Sequence, residues 1–169
     1  MRLSEGVEWS VHCAVMLAGL ARGATLPGKA LAEFHGVSES YLLKHLKALT
    51  AAHLLESVPG PRGGYCLARS PERITLLDVV QAIDGTQPAF RCTEIRQRGP
   101  AALEARAYRR PCIINTAMLR AESAWRAELD RTSLADIARG VVKTADPRVS
   151  ARGAQWLEQN CRPAHHDES

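Results

Sequence analysis

The stretch VPGPRGGYCLARS, residues 58–70, constrains the fold of this chain more than any other. It places two prolines and three glycines between two segments whose apolar spacing is that of helices. Proline interrupts a helix interior and glycine favours tight turns, so no helix runs through this stretch. The flanking runs LLESV and YCLAR alternate apolar and other residues, which is typical of short strands. We therefore expect a two-stranded hairpin set into a mainly α-helical chain.

Three helices are predicted before the hairpin. The first begins at Ser4, a suitable N-cap, and extends to about Arg22. The second opens at Pro27 and ends at Gly36. The third begins at Ser38 and covers SESYLLKHLKALTAAHL. Because only a few residues separate the last two helices, their spacing is that of a helix-turn-helix.

The third helix has two unlike faces. Its leucines fall in one sector, whereas a small, hydroxylic and cationic surface lies opposite. The leucine sector contains Leu42, Leu43, Leu46 and Leu49, and the opposite surface contains Ser40, Lys44, Lys47 and Ala51. This surface suits entry into a major groove of DNA. An ordinary amphipathic helix with solvated lysines has the same pattern, so the helix alone does not decide between the two interpretations.

The order helix, helix, hairpin favours DNA binding. A hairpin after a recognition helix is a wing, and an arginine at its tip, Arg62, fits a narrow minor groove. A plain β-turn with a solvated arginine would explain the turn but not its position in the chain. The predicted DNA-binding set is Arg2, Ser38, Ser40, Tyr41, Lys44, Lys47, Arg62, Gly63 and Gly64. The glycines are expected to let the tip backbone approach the sugar-phosphate chain.

Charge and cysteine usage agree with this interpretation. The formal net charge of +4 suits a polyanion such as double-stranded DNA without requiring one. No apolar run reaches the length of about eighteen residues needed for a membrane span, and no secretory signal opens the chain, so we expect a cytoplasmic protein with no membrane partner. Five cysteines, an odd number, argue against a disulfide framework and leave them free, redox-active or metal-bound.

The second half is predicted to contain a loop and a long helix. Thr75 caps a short helix that Gly85 closes, and a long segment of weak periodicity follows. A helix from Ile113 to about Leu129 then carries one apolar stripe. The stripe comprises Ile113, Ile114, Ala117, Met118, Ala121, Ala124 and Trp125. It requires a partner surface, either the same helix of a second chain or the core of its own chain.

These segments divide the chain into four parts. We assign residues 1–85 to a winged helix-turn-helix domain and 86–112 to a long loop. Residues 113–145 contain the helix with the apolar stripe, followed by the short helix SLADIARGVV. Residues 146–169 are expected to be a weakly ordered tail with one helical turn around Trp156 and Leu157, in which His165 and His166 are solvated.

Several of these stretches together resemble the Rrf2 family of bacterial winged-helix transcription regulators. They are MRLSEGVEWSVHCAVMLAGL, LAEFHGVSESYLLKHLKALTAAHLL, VPGPRGGYCLAR and ITLLDVVQAIDG. The family includes an iron–sulfur cluster regulator, a nitric-oxide-sensing repressor and an actinobacterial redox sensor. The resemblance implies a homodimer that reads a near-palindromic operator. It also implies that residues 86–112 are a sensor loop, which joins the fourth helix to a dimerisation helix within residues 113–145.

The resemblance also implies a cofactor. Many sensors of the family hold an iron–sulfur cluster with three closely spaced loop cysteines, whereas this loop contains only Cys92 and Cys112, with nineteen residues between them. Two thiolates leave a 2Fe–2S cluster short of two donors. In the redox-sensing branch a carboxylate and a histidine are supplied across the dimer, and Glu8 and His35 match those positions. The resemblance thus implies a 2Fe–2S cluster held between subunits and used for redox sensing.

Other interpretations stay open. Without the resemblance, His35 would be a helix-capping or core histidine. The regulator could be cluster-free and respond to oxidation of its cysteines or to a small ligand. An enzyme is not expected, because the sequence shows no nucleophile–base pair, phosphate-binding glycine loop or CxxC motif, and Glu8 with His12 lacks the HExxH spacing. Cys13 and Cys66 are expected to pack among apolar side chains, and Cys161 is expected to have no part in metal binding.

Overall fold

The chain folds as helices around a small hairpin, as the sequence predicts. The computed structural model describes residues 3–61 and 63–163. In that part of the chain the helices are α1 (Glu5–Ala18), α2 (Gly28–His35), α3 (Glu39–Ala51), α4 (Leu76–Asp84), α5 (Ile113–Arg131), α6 (Leu134–Thr144) and α7 (Pro147–Asn160), and the strands are β1 (Leu55–Val58) and β2 (Gly64–Leu67). No helix among the described residues is both long and apolar enough to cross a membrane.

Local capping explains several helix boundaries. Thr75 Oγ1 accepts from the Asp78 amide at 3.1 Å while Asp78 accepts from the Thr75 amide at 2.9 Å, so a capping box opens α4. Gly36 ends α2 in the left-handed region, with φ of 64°. Ser4 precedes α1 but makes no cap; its amide and hydroxyl donate to Asp84 at 3.1 and 2.6 Å. These bonds tie the start of α1 to the end of α4.

One apolar core lies between α1, α2, α3 and the hairpin, and α4 and α6 close it. Its fully buried side chains include Leu26, Leu31, Leu42, Leu46, Leu49, Ile74, Val79 and Leu134. The buried leucines of α3 are those that the helical pattern assigned to the inner sector, with Leu43 half-buried beside them. The prediction of two unlike faces on α3 is confirmed.

The wing hairpin is antiparallel, with Leu55 opposite Leu67 and Val58 opposite Gly64. Its second strand also pairs with the segment before α2, because Leu26 and Tyr65 exchange backbone bonds of 3.0 and 2.8 Å. A Cβ atom at Gly64 would lie 2.5 Å from the Leu26 carbonyl oxygen. The close approach of β2 to the Leu26 backbone therefore requires a glycine at this position. The sequence pattern indicated only that the glycines let the wing tip approach DNA.

The apolar stripe of α5 does not pack on the core of its own chain. Ile113, Ile114 and Met118 are 77%, 62% and 45% exposed. The three alanines of the stripe are exposed as well, and only Trp125 is half-buried. An apolar surface of this kind on a helix needs a cover in solution.

The prediction of a weakly ordered C-terminal tail is wrong for residues 147–160, which form α7. Asp146 caps this helix by accepting from the Arg148 amide at 2.8 Å, and Pro147 occupies its first position. Sequence periodicity missed the helix because Trp156 and Leu157 supply nearly all of its contact with the core. His165 and His166 lie outside the described residues.

Candidate nucleic-acid interface and metal centre

The outward face of α3 is a hydroxylic and cationic surface. Ser40, Tyr41, Lys44 and Lys47 are exposed, while the leucines on the other side of the helix anchor it in the core. Lys44 Nζ lies 5.9 Å from the centre of the Tyr41 ring. Ser38 Oγ lies 3.1 Å from Ser40 Oγ at the start of the helix. The structure therefore brings the α3 members of the predicted DNA-binding set together on one open surface.

An aromatic cluster that sequence reasoning missed orients this helix. The Tyr41 ring lies edge-on to Trp9 of α1, with 5.3 Å between ring centres, and 4.9 Å from the ring of buried His45. The His45 ring occupies the space where a side chain at Gly6 would project. Burial lowers the pKa of His45, which favours the neutral ring. Gly6 at the start of an apolar helix was the available signal for this close approach.

The wing end of the predicted interface is described in part. Arg2 and Arg62 lie outside the described residues. Gly63 is buried, and its amide donates to the Gly60 carbonyl at 2.9 Å to close the tip. Contact of Gly63 and Gly64 with DNA remains a prediction.

The two loop cysteines come together at the start of α5. Cys112 occupies the N-cap position and is buried. Hydrogen bonds from the backbone amides of Asn115 and Ile114 hold the pKa of its thiol below the ordinary value, and Arg96 and Cys92 contribute in the same direction. The fold thus places Cys92 beside Cys112 despite the nineteen residues between them. The lowered pKa of Cys112 favours its thiolate, and a thiolate with a second thiol beside it suits a soft metal ion.

Arg96 closes the loop around these thiols. Its guanidinium donates to Glu94 at 2.7 and 3.0 Å and to the Arg110 carbonyl at 3.3 Å, and it lies 5.4 Å from the centre of the Tyr108 ring. Glu94 Oε1 lies 3.7 Å from Cys92 Sγ, and the Glu94 backbone has a positive φ of 48°. Arg96 therefore bridges the Cys92 half and the Cys112 half of the loop.

An ion pair that sequence reasoning missed, Glu122 with Arg126, fixes the beginning of the loop. The buried Glu122 carboxylate accepts from the Ala89 amide at 2.9 Å and from Arg126 at 2.8 Å. Arg126 also donates to the carbonyls of Thr86 and Gln87 at 3.2 and 3.3 Å. The Arg126 guanidinium keeps the pKa of Glu122 low, so the pair is charged. The Glu–Arg spacing of four residues on α5 was the sequence signal.

Glu8 and His35 meet at a separate recess of about 190 Å³, which His12, Trp9 and Val37 also line. The His12 and His35 rings are 5.7 Å apart. His35 Nε2 is buried without a hydrogen-bond partner, and burial together with His12 lowers the pKa of His35. A neutral imidazole with an unused nitrogen has a lone pair available for a metal. His12 is a neighbour that the predicted ligand set did not include.

One chain does not unite the four predicted ligands. Within residues 3–61 and 63–163, no group of three or more His, Cys, Asp and Glu side chains is arranged to hold a metal ion. The thiols lie at the start of α5, whereas Glu8 and His35 lie on α1 and α2. Cys13 is buried, and burial raises the pKa of its thiol to about 12; Cys66 and Cys161 are half-buried.

A winged helix with a cationic recognition helix defines a class, the DNA-binding transcriptional regulators. Residues 3–140 match the family model Rrf2, described as an iron-dependent transcriptional regulator. YffB of Lactococcus lactis, named as an HTH-type transcriptional regulator, is 36% identical over 138 residues, which cover 82% of this chain and 87% of YffB. The chain belongs to the Rrf2 family and is a transcriptional regulator.

Solved structures agree in fold. CymR, the global cysteine regulator of B. subtilis, superimposes with a TM-score of 0.66 at 23% identity, over 82% of this chain and 97% of CymR. T. potens IscR superimposes with a TM-score of 0.64 at 23% identity, over 89% of this chain and 96% of IscR. The winged-helix fold predicted from the sequence is confirmed.

We expect Arg96→Gln to slow alkylation of Cys112 in the metal-free protein near neutral pH. Loss of the guanidinium removes one of the groups that lower the pKa of this thiol, so less thiolate is present; the backbone amides keep part of the effect. Mass spectrometry of the Cys112 peptide after timed iodoacetamide treatment measures the rate. Arg106→Gln is the matched control, because Arg106 forms the same kind of pair with Glu104 in this loop. Equal rates in the two variants would contradict the assignment.

Proposed function

We propose that the protein is a homodimeric, redox-responsive regulator that binds a near-palindromic DNA operator and holds a 2Fe–2S cluster between its subunits. One observation carries the proposal: the fold joins Cys92 and Cys112 into one thiol pair and sets His35, with an unused ring nitrogen, at a second place. The thiol pair offers two donors, and the recess of His35 and Glu8 offers two more. A 2Fe–2S cluster needs four protein donors. The iron-dependence in the description of the family supports the same cofactor.

The DNA-binding part of the proposal follows from charge and exposure on α3. Lys44 and Lys47 are exposed on the side opposite the buried leucines, where they would meet phosphates, while Ser40 and Tyr41 would reach bases or sugars. Ser38 begins the helix, and Arg2, Arg62, Gly63 and Gly64 complete the proposed interface. Two such heads related by a two-fold axis would read successive major grooves.

Lys44→Ala is expected to weaken binding to the chain's own promoter region and to lower the slope of log affinity against log salt by about one. The reason is the loss of one phosphate contact. Gel-shift titrations at several salt concentrations measure both quantities. Lys143→Ala on α6 removes the same charge outside the helix-turn-helix and serves as the control. A Lys44→Ala variant that behaves like the control would argue against α3 as the recognition helix.

The dimer is supported by the uncovered stripe on α5. Its residues face away from the core of their own chain, and two copies related by a two-fold axis would bury them against each other. The same symmetry would bring each thiol pair toward the other subunit. The proposed dimer thus explains both the exposed apolar stripe and the divided ligand set.

Ala121→Glu is expected to shift the protein toward monomer or aggregate. Ala121 is exposed in the middle of the stripe, and an unpaired charge in a buried interface is strongly destabilising. Sedimentation at micromolar concentration measures the state. Ser123→Glu places the same charge on the opposite side of α5 and should remain dimeric. A monomeric wild type would contradict the dimer and the ligand scheme that depends on it.

The residues fit a mixed-ligand cluster. Cys92 and Cys112 would supply thiolates, and the Glu8 carboxylate and His35 imidazole of the partner subunit would complete the set. When bound, a 2Fe–2S cluster takes up or releases one electron, at a potential that rises as thiolates are replaced. Arg96 would compensate the negative charge of the thiolates, and Glu122 with Arg126 would hold the loop against α5. A change of charge at this junction would act on the DNA-binding head through α1 and α2.

Cys112→Ala is expected to abolish visible colour and bound iron, because no other loop thiol besides Cys92 is present. His35→Ala should give a labile or spectrally shifted cluster, and Glu8→Ala a milder change. Iron and sulfide content with absorption spectra of anaerobically reconstituted protein measure this, and Cys66→Ala serves as the cysteine control.

Three results would separate the parts of this scheme. Iron-free wild type after reconstitution would refute the cluster. A spectrum unchanged by both His35→Ala and Glu8→Ala would remove the cross-subunit ligands and leave the cluster. Gel shifts under oxidising and reducing conditions should differ in affinity if the cluster is the sensor.

The adjacency of the two thiols also favours a second candidate, a cluster-free regulator of the same fold. Cys92 and Cys112 would together lose two protons and two electrons to one hydrogen peroxide molecule, which breaks its O–O bond and becomes two waters, while the two sulfurs form one S–S bond. Colourless wild type that binds DNA, and whose Cys92 and Cys112 peptides become joined on peroxide treatment, would favour this candidate.

A further inference from the structure

The last described residues of the chain lie against the DNA-binding head, although they fall beyond the residues that match the family model, 3–140. Helix α7 turns back along the molecule, and Trp156, Leu157 and Cys161 pack against the core. The Trp156 ring lies 4.8 Å from the ring of Phe34 on α2. This segment therefore contacts the first helix of the helix-turn-helix.

After α7 the backbone extends the wing sheet by one further pair of hydrogen-bonded residues. Thr25 and Arg162 exchange backbone hydrogen bonds of 2.9 Å each, in antiparallel register. Leu26, the next residue, exchanges its own pair with Tyr65 of β2. Successive residues of an extended segment point their backbone groups to opposite sides, so residues 25–26 lie between Arg162 and the wing.

The Arg162 side chain then reaches past this middle segment to the wing itself. Its guanidinium donates to the carbonyl of Gly63, at the base of the wing tip. Gly63 is buried and has no room for a side chain, because a Cβ atom would overlap the Val58 carbonyl. The hydrogen bond from Arg162 therefore holds the backbone at the point where the wing tip continues into β2.

A hairpin of two strands is marginal by itself and needs support from other elements. Here that support comes from Leu26 on one edge and from the charged hydrogen bond of Arg162, which is stronger than a neutral one. The carbonyl that Arg162 engages follows directly on the tip residues proposed to meet the minor groove.

We propose that Arg162 is a positioning residue for the DNA-binding wing, and that the C-terminal segment 147–162 acts as a brace that holds the wing tip at a fixed angle to the recognition helix. Arg162 acts through the Gly63 carbonyl and not through a phosphate. The DNA arm of the test rests on the proposed function; the arm without DNA does not.

The experiment compares Arg162→Gln with Arg152→Gln in the full chain. Both remove one positive charge from the C-terminal segment, but Arg152 is exposed on α7. Hydrogen exchange of the amides of Gly63, Gly64 and Tyr65, measured without DNA, should be faster by roughly tenfold in Arg162→Gln, as expected for the loss of a hydrogen bond to a charged group. Arg152→Gln should match the wild type, and Arg162→Lys should recover part of the protection.

Gel shifts then test the consequence for DNA. Arg162→Gln should bind the promoter region several-fold more weakly with an unchanged salt slope, because no phosphate contact is lost. Wing amides that exchange at the wild-type rate in Arg162→Gln would overturn the proposal, and so would a salt slope reduced by about one with unchanged exchange, which would make Arg162 a direct phosphate contact. Wild type that fails to bind DNA would contradict the proposed function and leave the exchange result to judge the brace. Thermal denaturation of each variant confirms that it is folded.

Discussion

The burial of the α3 leucines is the interaction on which the rest of this structure depends. Leu42, Leu46 and Leu49 are fully buried, and each contributes about 1.5–3 kcal/mol by leaving water. Their burial determines which side of α3 faces solvent. The serine, tyrosine and lysines of the opposite side are presented as one surface because the leucines are held between α1, α2 and the hairpin. The aromatic contacts of Trp9, Tyr41 and His45 then restrict the rotation of α3 about its axis.

The loop between α4 and α5 is organised by charge instead of apolar burial. Glu122 and Arg126 hold its first residues, and Arg96 joins its two halves near the thiols. The Glu122–Arg126 pair is mostly shielded from water, which strengthens it relative to surface pairs, whereas the side chains of the Glu94–Arg96 pair are about a third exposed. A loop with few apolar contacts acquires a defined shape in this way, and Cys112 acquires its amide donors from the start of α5. The geometry at the thiols thus depends on the loop and on α5 together.

The sequence predicted the parts of the fold that depend on local rules. The capping box at Thr75, the left-handed glycine at Gly36 and the alternation on both sides of the wing tip each act within a few residues, so the pattern was sufficient. The C-terminal helix was missed for the opposite reason. Its stability depends on Trp156 and Leu157 meeting surfaces that are remote in sequence, such as Phe34, and no local period records such a contact.

The same division holds for the candidate site. The sequence by itself determined the third helix and its cationic face, the hairpin after it, and which cysteines lie in the loop, because residue type and spacing set helical phase and turn chemistry. Only the tertiary structure decided that Cys92 lies beside Cys112, that Glu8 and His35 share a recess with His12 apart from those thiols, and that Arg162 reaches the wing. Each of these contacts joins residues far apart in the chain. Their proximity results from how the core packs and from which charged groups pair with each other. Helical or strand periodicity depends on neighbouring residues alone, so it indicates neither the packing nor the pairing.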